Sequence, residues 1–184
     1  KRLRNSIAPN NEVVLTHVSN FRKVKRVDDV VRIFHLIQKQ IPAKLLLVGD
    51  GPERLKIEQM CRKLNLSDDT KFLGKSKAIE KLMAISDLFL LPSEAESFGL
   101  VGLEAMAAGV PVISSNVGGL TEVNKEGETG FLSEVGNVDE MATNALKILE
   151  GDLKTFKKNA SAHAQSFDLP NILPQYESLY ESMI

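Results

Sequence analysis

Apolar runs and amphipathic segments alternate along most of the chain. The apolar runs are short and almost uninterrupted, which is typical of strands covered on both faces of a parallel sheet. They predict strands at Val13–Val18, Leu45–Val48, Phe72–Leu73, Leu88–Leu91, Val110–Ser114 and Gly130–Leu132.

The segments between these strands carry apolar residues at helical spacing, as in the series Val27, Val30, Val31, Phe34 and Ile37. Alternating strands and helices predict an α/β fold, a Rossmann-like parallel sheet with helices on both faces. From Asp139 onward the pattern becomes purely helical, and Pro170 separates the last two helices. We expect a single domain over residues 1–184 with a helical tail at 139–184. Helices are predicted at Glu53–Asn65, Ile79–Ile85, around Glu104, Asp139–Glu150, Leu153–Ser166 and Asn171–Met183.

Two glutamates, Glu96 and Glu104, flank the predicted start of a helix after the fourth strand. Free backbone N–H groups at Phe98, Gly99 and Leu100 would form a seat for a phosphate there. Glu104 lies about 6 Å further along the helix. Either glutamate alone is more often a solvated surface residue. However, the helix around Glu104 is apolar almost all round, so we expect this carboxylate to be buried and to need a partner or ligand.

Four basic residues follow the first strand closely: Arg22, Lys23, Lys25 and Arg26. Ligands of parallel sheets gather at the carboxyl ends of the strands, where such cations can neutralise a diphosphate. The alternative is a solvated basic loop.

The turn Gly49–Pro52 is not a dinucleotide fingerprint, because Arg54 stands where the third glycine belongs. We interpret its glycines as permitting a tight turn near a ligand site.

Composition excludes several classes of function. The 184 residues carry a net charge of −1, which gives no electrostatic reason to bind nucleic acid or membranes. No apolar run approaches the roughly 20 residues of a membrane span, and no signal peptide is visible. Cys61, the one cysteine, is expected to be a buried small hydrophobe, and it fits a reducing, cytoplasmic compartment.

Metal chemistry is not expected either. His17, His35 and His163 are scattered, without Cys or carboxylate at the spacing of metal ligands. His17, near the end of the first strand, is best interpreted as a structural histidine. There is no Asp-x-Asp pair, so we expect a metal-independent site without a cofactor.

The segment Glu96–Val112, with its Glu-x7-Glu element, resembles the retaining, two-domain (GT-B) nucleotide-sugar glycosyltransferases of group 1. The resemblance implies that Glu96 holds sugar hydroxyls of the donor and that Glu104 binds the ribose. It also implies that the backbone of Phe98, Gly99, Leu100 and Val101 approaches the diphosphate and sugar. Arg22 and Lys25 would lie on the leaving diphosphate, with Lys23 or Arg26 as substitutes, so the implied catalytic residues are Arg22, Lys25 and Glu96.

Other segments extend this resemblance. Gly51 lies in a turn of the family type, and Leu73 and Gly74 match a segment whose backbone touches the nucleotide base. The resemblance covers only the donor-binding, carboxy-terminal half of the family architecture. It therefore implies a UDP-sugar donor, and an amino-terminal half outside this chain that carries most acceptor contacts.

A finer resemblance, in Val18–Asp29 and Ser93–Gly99, is to the N-acetylglucosaminyl L-malate synthases of bacillithiol biosynthesis. It implies UDP-N-acetylglucosamine as the donor and a small hydroxy acid such as L-malate as the acceptor. Lipid or polysaccharide acceptors, a non-catalytic nucleotide-binding module and a sugar-nucleotide epimerase remain alternatives at this point.

Overall fold

A six-stranded parallel sheet forms the centre of the protein. The structure, a computed structural model, describes residues 2–182. The spatial order of the strands is β3-β2-β1-β4-β5-β6, and every neighbouring pair is parallel. The predicted fold class is confirmed. The strands are β1 (Val13–Ser19), β2 (Ala43–Gly49), β3 (Thr70–Gly74), β4 (Leu88–Leu91), β5 (Val112–Ser115) and β6 (Gly130–Ser133).

Helices occupy both faces of this sheet and the carboxy-terminal segment. In the part of the chain that the structure describes they are α1 (Arg2–Ile7), α2 (Val27–Gln38), α3 (Arg54–Lys63), α4 (Ile79–Met83), α5 (Leu100–Ala107), α6 (Leu120–Val123), α7 (Val138–Glu150), α8 (Leu153–Gln165) and α9 (Leu169–Ser182). The pattern did not predict α1, α6 or a 3-10 turn at Lys23–Lys25, because such short elements show no helical period. Met183, the predicted last residue of the tail helix, lies outside the described residues.

The boundaries of the elements differ from prediction by small amounts. The predicted strand at Val110–Ser114 begins two residues later, at Val112. Pro111 has no N–H for a sheet ladder, and the N–H of Val110 donates instead to Ala105 at the end of α5.

The core consists of two layers, one on each face of the sheet. In β4, Leu88 and Leu90 pack with α2 and α7, whereas Phe89 and Leu91 pack with α5 and α8. Successive residues of a strand point to opposite faces, so both sets are buried and the strand shows no polar alternation. Cys61, which lies on α3, is buried, as predicted.

The sheet has a switch point between β1 and β4, because the chain leaves β1 toward β2 and returns to the other side of β1 with β4. The β1–β4 register comprises Leu15 with Leu88 and Thr16 with Phe89. In open parallel sheets ligands bind outside the carboxyl ends of the strands at such a point. None of the helices in residues 2–182 is both long and apolar enough to cross a membrane.

Candidate functional site

The switch point brings the loop after β1 against the loop after β4. Lys25 Nζ lies 2.6 Å from Glu96 Oε2, and the two side chains are 20% and 16% exposed. A backbone hydrogen bond of 2.8 Å, from Glu94 N–H to the Val24 carbonyl, ties the same loops. The sequence predicted both Lys25 and Glu96 as site residues, and the structure places them in direct contact.

Two adjoining cavities open around this ion pair. One, of about 370 Å³, is lined by Lys25, Glu96, Ser97 and Gly118 among others. The other, of about 410 Å³, is lined by Ser19, Lys25, Glu96 and the four residues Phe98–Val101. A charged pair therefore stands between two spaces that a ligand can enter from solvent.

The start of α5 provides backbone donors to the second cavity. Gly99 precedes the helix in a left-handed conformation with φ of 86°, and the helix begins at Leu100. The N–H groups of Phe98, Gly99, Leu100 and Val101 have no hydrogen-bond acceptor within residues 2–182. Such groups, with the positive end of the helix dipole, favour an anion.

The basic loop separates into residues with different partners. Arg26 Nε lies 2.6 Å from Asp29 Oδ2, and its guanidinium lies beside Gly136, which gives it a structural environment. Arg22 and Lys23 are exposed, and neither side chain has an ion-pair partner among the described residues. Lys25 is thus the member held at the cavities, whereas Arg22 is an exposed cation that lines neither of them.

The expectation that Glu104 is buried is wrong. Glu104 is exposed, and it forms no ion pair or side-chain hydrogen bond within the described part of the chain. The buried face of α5 consists of Gly102, Ala105 and Met106, while Leu100 is 63% exposed on the other side. The sequence could not separate apolar residues that face the core from those that line an open cavity, as Leu100 does. Glu104 lines a separate groove of about 550 Å³, together with Ala107 and Ala108 at the end of α5 and with Lys77, Ile79, Glu80 and Met83.

Close backbone contacts fix the Glu96 loop. A Cβ on Gly118, whose φ is 50°, would lie 2.1 Å from the Glu96 carbonyl oxygen. A Cβ on Gly119 would lie 2.6 Å from the Ser97 oxygen, and the Gly119 N–H donates to Glu96 O at 3.2 Å. This glycine pair is not among the site residues predicted from the sequence. Two adjacent glycines shortly after β5 were the sequence signal that could have indicated a tight backbone contact here.

Gly51, Leu73 and Gly74, the remaining predicted residues, lie on the β2–β3 side. A Cβ on Gly51 would lie 1.9 Å from the Asn20 oxygen, so this glycine lets the turn after β2 pack under the basic loop. Leu73 is 37% exposed and Gly74 has a φ of 62° at the end of β3. Neither lines the three cavities described above.

His17 is fully buried, and both of its ring nitrogens have hydrogen-bond partners, Leu90 O and Ser19 Oγ. Burial lowers the pKa of His17 to about 4. The interpretation as a structural histidine agrees with this environment. Within residues 2–182, no three His, Cys, Asp or Glu side chains are grouped to hold a metal ion.

The chain matches a known protein family over most of its length. Residues 1–165 match the family described as Glycosyl transferases group 1. The N-acetyl-alpha-D-glucosaminyl L-malate synthase of Bacillus anthracis is 46% identical over 179 residues, which cover 95% of this chain and 46% of that protein. The 2-deoxystreptamine N-acetyl-D-glucosaminyltransferase of Niallia circulans is 35% identical over 76% of this chain and 37% of its own length.

Solved structures give the same result. The crystal structure of Anabaena HepE in complex with UDP and glucose superimposes with a TM-score of 0.86 at 33% identity, covering 98% of this chain and 51% of HepE. The chain spans about half the length of these relatives or less. The family match extends over most of the chain and agrees with the fold and with the Glu-x7-Glu segment around α5, and the chain belongs to the group 1 glycosyl transferases.

Proposed function

We propose that this chain is the donor-binding half of a retaining glycosyltransferase that uses a UDP-sugar. The observation that carries the proposal is the Lys25–Glu96 contact beside four unpaired N–H groups at the start of α5. A diphosphate requires cations and N–H donors, whereas sugar hydroxyls require carboxylate acceptors. Both kinds of group meet here at the switch point of the sheet.

The donor is proposed to lie along α5. Its diphosphate occupies the space at Phe98–Val101, its sugar lies toward Glu96, and its ribose lies toward Glu104. Leu100 and Glu104 are four residues apart on one face of the helix, so these subsites are about 6 Å apart. The base is assigned to the end of β3, near Leu73 and Gly74. The groove beside Glu104 supports a nucleoside at this end of the ligand.

The preferred donor is UDP-N-acetylglucosamine and the preferred acceptor is L-malate. The support is the 46% identity to a protein named for that product, together with the resemblance in Val18–Asp29. Because the relatives are about twice as long, acceptor contacts are assigned to a second domain of the full-length protein. Anabaena HepE, whose structure contains UDP and glucose, supports a uridine nucleotide.

In the reaction, the bond from the sugar C1 to the diphosphate oxygen breaks, and the acceptor oxygen bonds to C1 on the same face. The acceptor proton passes to an oxygen of the departing diphosphate. Arg22, Lys25 and the α5 amides stabilise the negative charge that grows on that group. Glu96 orients the sugar through its hydroxyls. No metal is assigned to this task, so activity in the presence of a chelator is expected.

The test is calorimetric titration of the full-length protein with UDP and UDP-N-acetylglucosamine, followed by mass analysis of the product formed with L-malate. Binding of both ligands and formation of N-acetylglucosaminyl malate are expected. Transfer to a lipid or polysaccharide but not to malate would keep the enzyme class and refute the acceptor. Binding without transfer to any acceptor would favour a non-catalytic module, and absence of UDP binding would refute the proposal.

A further inference from the structure

A chain of hydrogen bonds runs from β4 across the switch point to the loop after β1. His17 Nδ1 lies 2.8 Å from the carbonyl oxygen of Leu90. A carbonyl oxygen accepts and does not donate, so Nδ1 carries the proton. With its pKa lowered to about 4 by burial, the ring is neutral near pH 7, and its Nε2 is therefore an acceptor.

Ser19 continues this chain toward solvent. Its hydroxyl lies 2.8 Å from His17 Nε2 and donates to it. The same oxygen accepts the N–H of Phe21 at 3.2 Å. The three hydrogen bonds therefore run in one direction, from Phe21 to Leu90, and bonds in such a series polarise one another.

Phe21, at the end of this chain, has an unusual backbone. Its φ is 40°, in the left-handed region that bulky side chains avoid. Such a conformation persists when the surroundings determine it. The ring of Phe21 is fully buried, its carbonyl accepts the Glu53 N–H at 3.0 Å, and the Ser19 hydroxyl holds its N–H.

The conformation of Phe21 sets the direction of the basic segment that follows. Arg22 is the next residue, and its carbonyl accepts the Lys25 N–H at 2.8 Å within the 3-10 turn. Lys25 in turn reaches Glu96. We propose that His17 and Ser19 are positioning residues, which act through Phe21 to aim the Arg22–Lys25 segment at the diphosphate of the donor. This inference rests on the proposed function.

The experiment measures kcat, the donor KM and thermal stability in the full-length enzyme. Ser19→Ala should lower kcat about tenfold and change the donor KM less than about threefold, because misplaced charges matter most as the diphosphate departs. Ser19→Thr keeps the hydroxyl and should retain about half of the kcat or more. Ser19→Cys introduces a thiol, which is a weak donor, and its kcat should lie between those of the Ala and Thr variants. Thr16→Val is the matched control. It removes a buried hydroxyl of β1 that pairs with Ser86, and kcat should stay unchanged.

A double substitution separates positioning from a direct contact, because Ser19 also lines the cavity. In a Lys25→Met background, Ser19→Ala should lower kcat by less than about threefold if it acts through the basic segment. A full tenfold loss in that background, or an equal loss in Thr16→Val, would overturn the inference. Normal UDP binding with an unchanged kcat in Ser19→Ala would refute the positioning role alone. Failure of the unmodified protein to bind UDP would refute the proposed function as well.

Discussion

Glu96 and Glu104 belong to one sequence motif but occupy different environments. Glu96 lies in a loop, is 16% exposed and contacts Lys25 at 2.6 Å. Glu104 lies inside α5, is exposed, and has no ion-pair partner within residues 2–182. The loop carboxylate is already engaged by the protein, whereas the helical carboxylate remains available to a ligand.

This difference shows that the two ends of the proposed donor site are organised differently. At the Glu96 end, a ligand must share or displace an existing ion pair, so the diphosphate and the carboxylate compete for Lys25. At the Glu104 end, a ligand competes with water alone, and a hydrogen bond there contributes less binding free energy than the interactions at the Glu96 end. Substitutions at the first end should therefore have the larger and more complex effects.

Replacing Lys25 should have the largest effect. In the full-length enzyme, Lys25→Met is expected to reduce kcat roughly 10²- to 10³-fold, because it removes a charge that stabilises the departing diphosphate. Donor affinity, measured by calorimetry, should fall much less. Lys23→Met is the control, since it removes the same charge from the same loop at a residue that lines neither cavity and is not assigned to the diphosphate, and kcat should change less than about twofold. Normal turnover in Lys25→Met with loss in Lys23→Met would mean that the wrong lysine has been assigned.

Glu96→Gln should follow in magnitude. Turnover is expected to fall about 10- to 100-fold, the value of hydrogen bonds to a charged acceptor, and discrimination between UDP-sugars should weaken. UDP affinity should rise slightly, because Lys25 is released and a negative charge near the diphosphate is removed. The rise should be smaller in a Lys25→Met background, where only the removal of the negative charge still acts. Equal losses of UDP and UDP-sugar affinity would show that Glu96 does not contact the transferred sugar.

The sequence predicted most of the sheet because the physical cause is local. Leu88–Leu91 is buried on both faces, and such a strand must be apolar throughout. The same reasoning failed at α5, where Leu100 is apolar but lines an open cavity, and an apolar pattern does not distinguish a cavity wall from the core. The Lys25–Glu96 contact joins residues 71 positions apart, so the residue types were predictable but their pairing was not.

The support of Glu96 by Gly118 was also beyond sequence reasoning, and it gives a third prediction. Gly118→Ala should lower turnover about tenfold, because the new Cβ would displace the Glu96 backbone and small displacements of a reacting group are costly. Gly127→Ala is the matched control. Its φ is 73°, as unfavourable as that of Gly118, but no heavy atom lies within 4 Å of the added Cβ. In denaturant unfolding, the free energy of unfolding should fall by about 1 kcal/mol in the control, because of backbone strain, and by more in Gly118→Ala. Equal effects on turnover and stability in the two variants would mean that Gly118 has no specific role in supporting Glu96.

The smallest effect is expected at Glu104, and it tests whether this exposed carboxylate binds the ligand. Glu104→Ala should weaken UDP and UDP-sugar by the same factor, about five- to tenfold, because the ribose is common to both ligands and the exposed carboxylate already interacts with water. Turnover at saturating donor should change little, since an interaction equal in the ground and transition states affects KM alone. Glu80→Ala provides the control. Glu80, on α4, lines the same groove, and its substitution removes the same charge. Calorimetry with both ligands would decide. An equal loss in Glu80→Ala would mean that the effect is general to the groove and not specific to the ribose. A loss confined to the UDP-sugar would mean that Glu104 contacts the transferred sugar instead of the ribose.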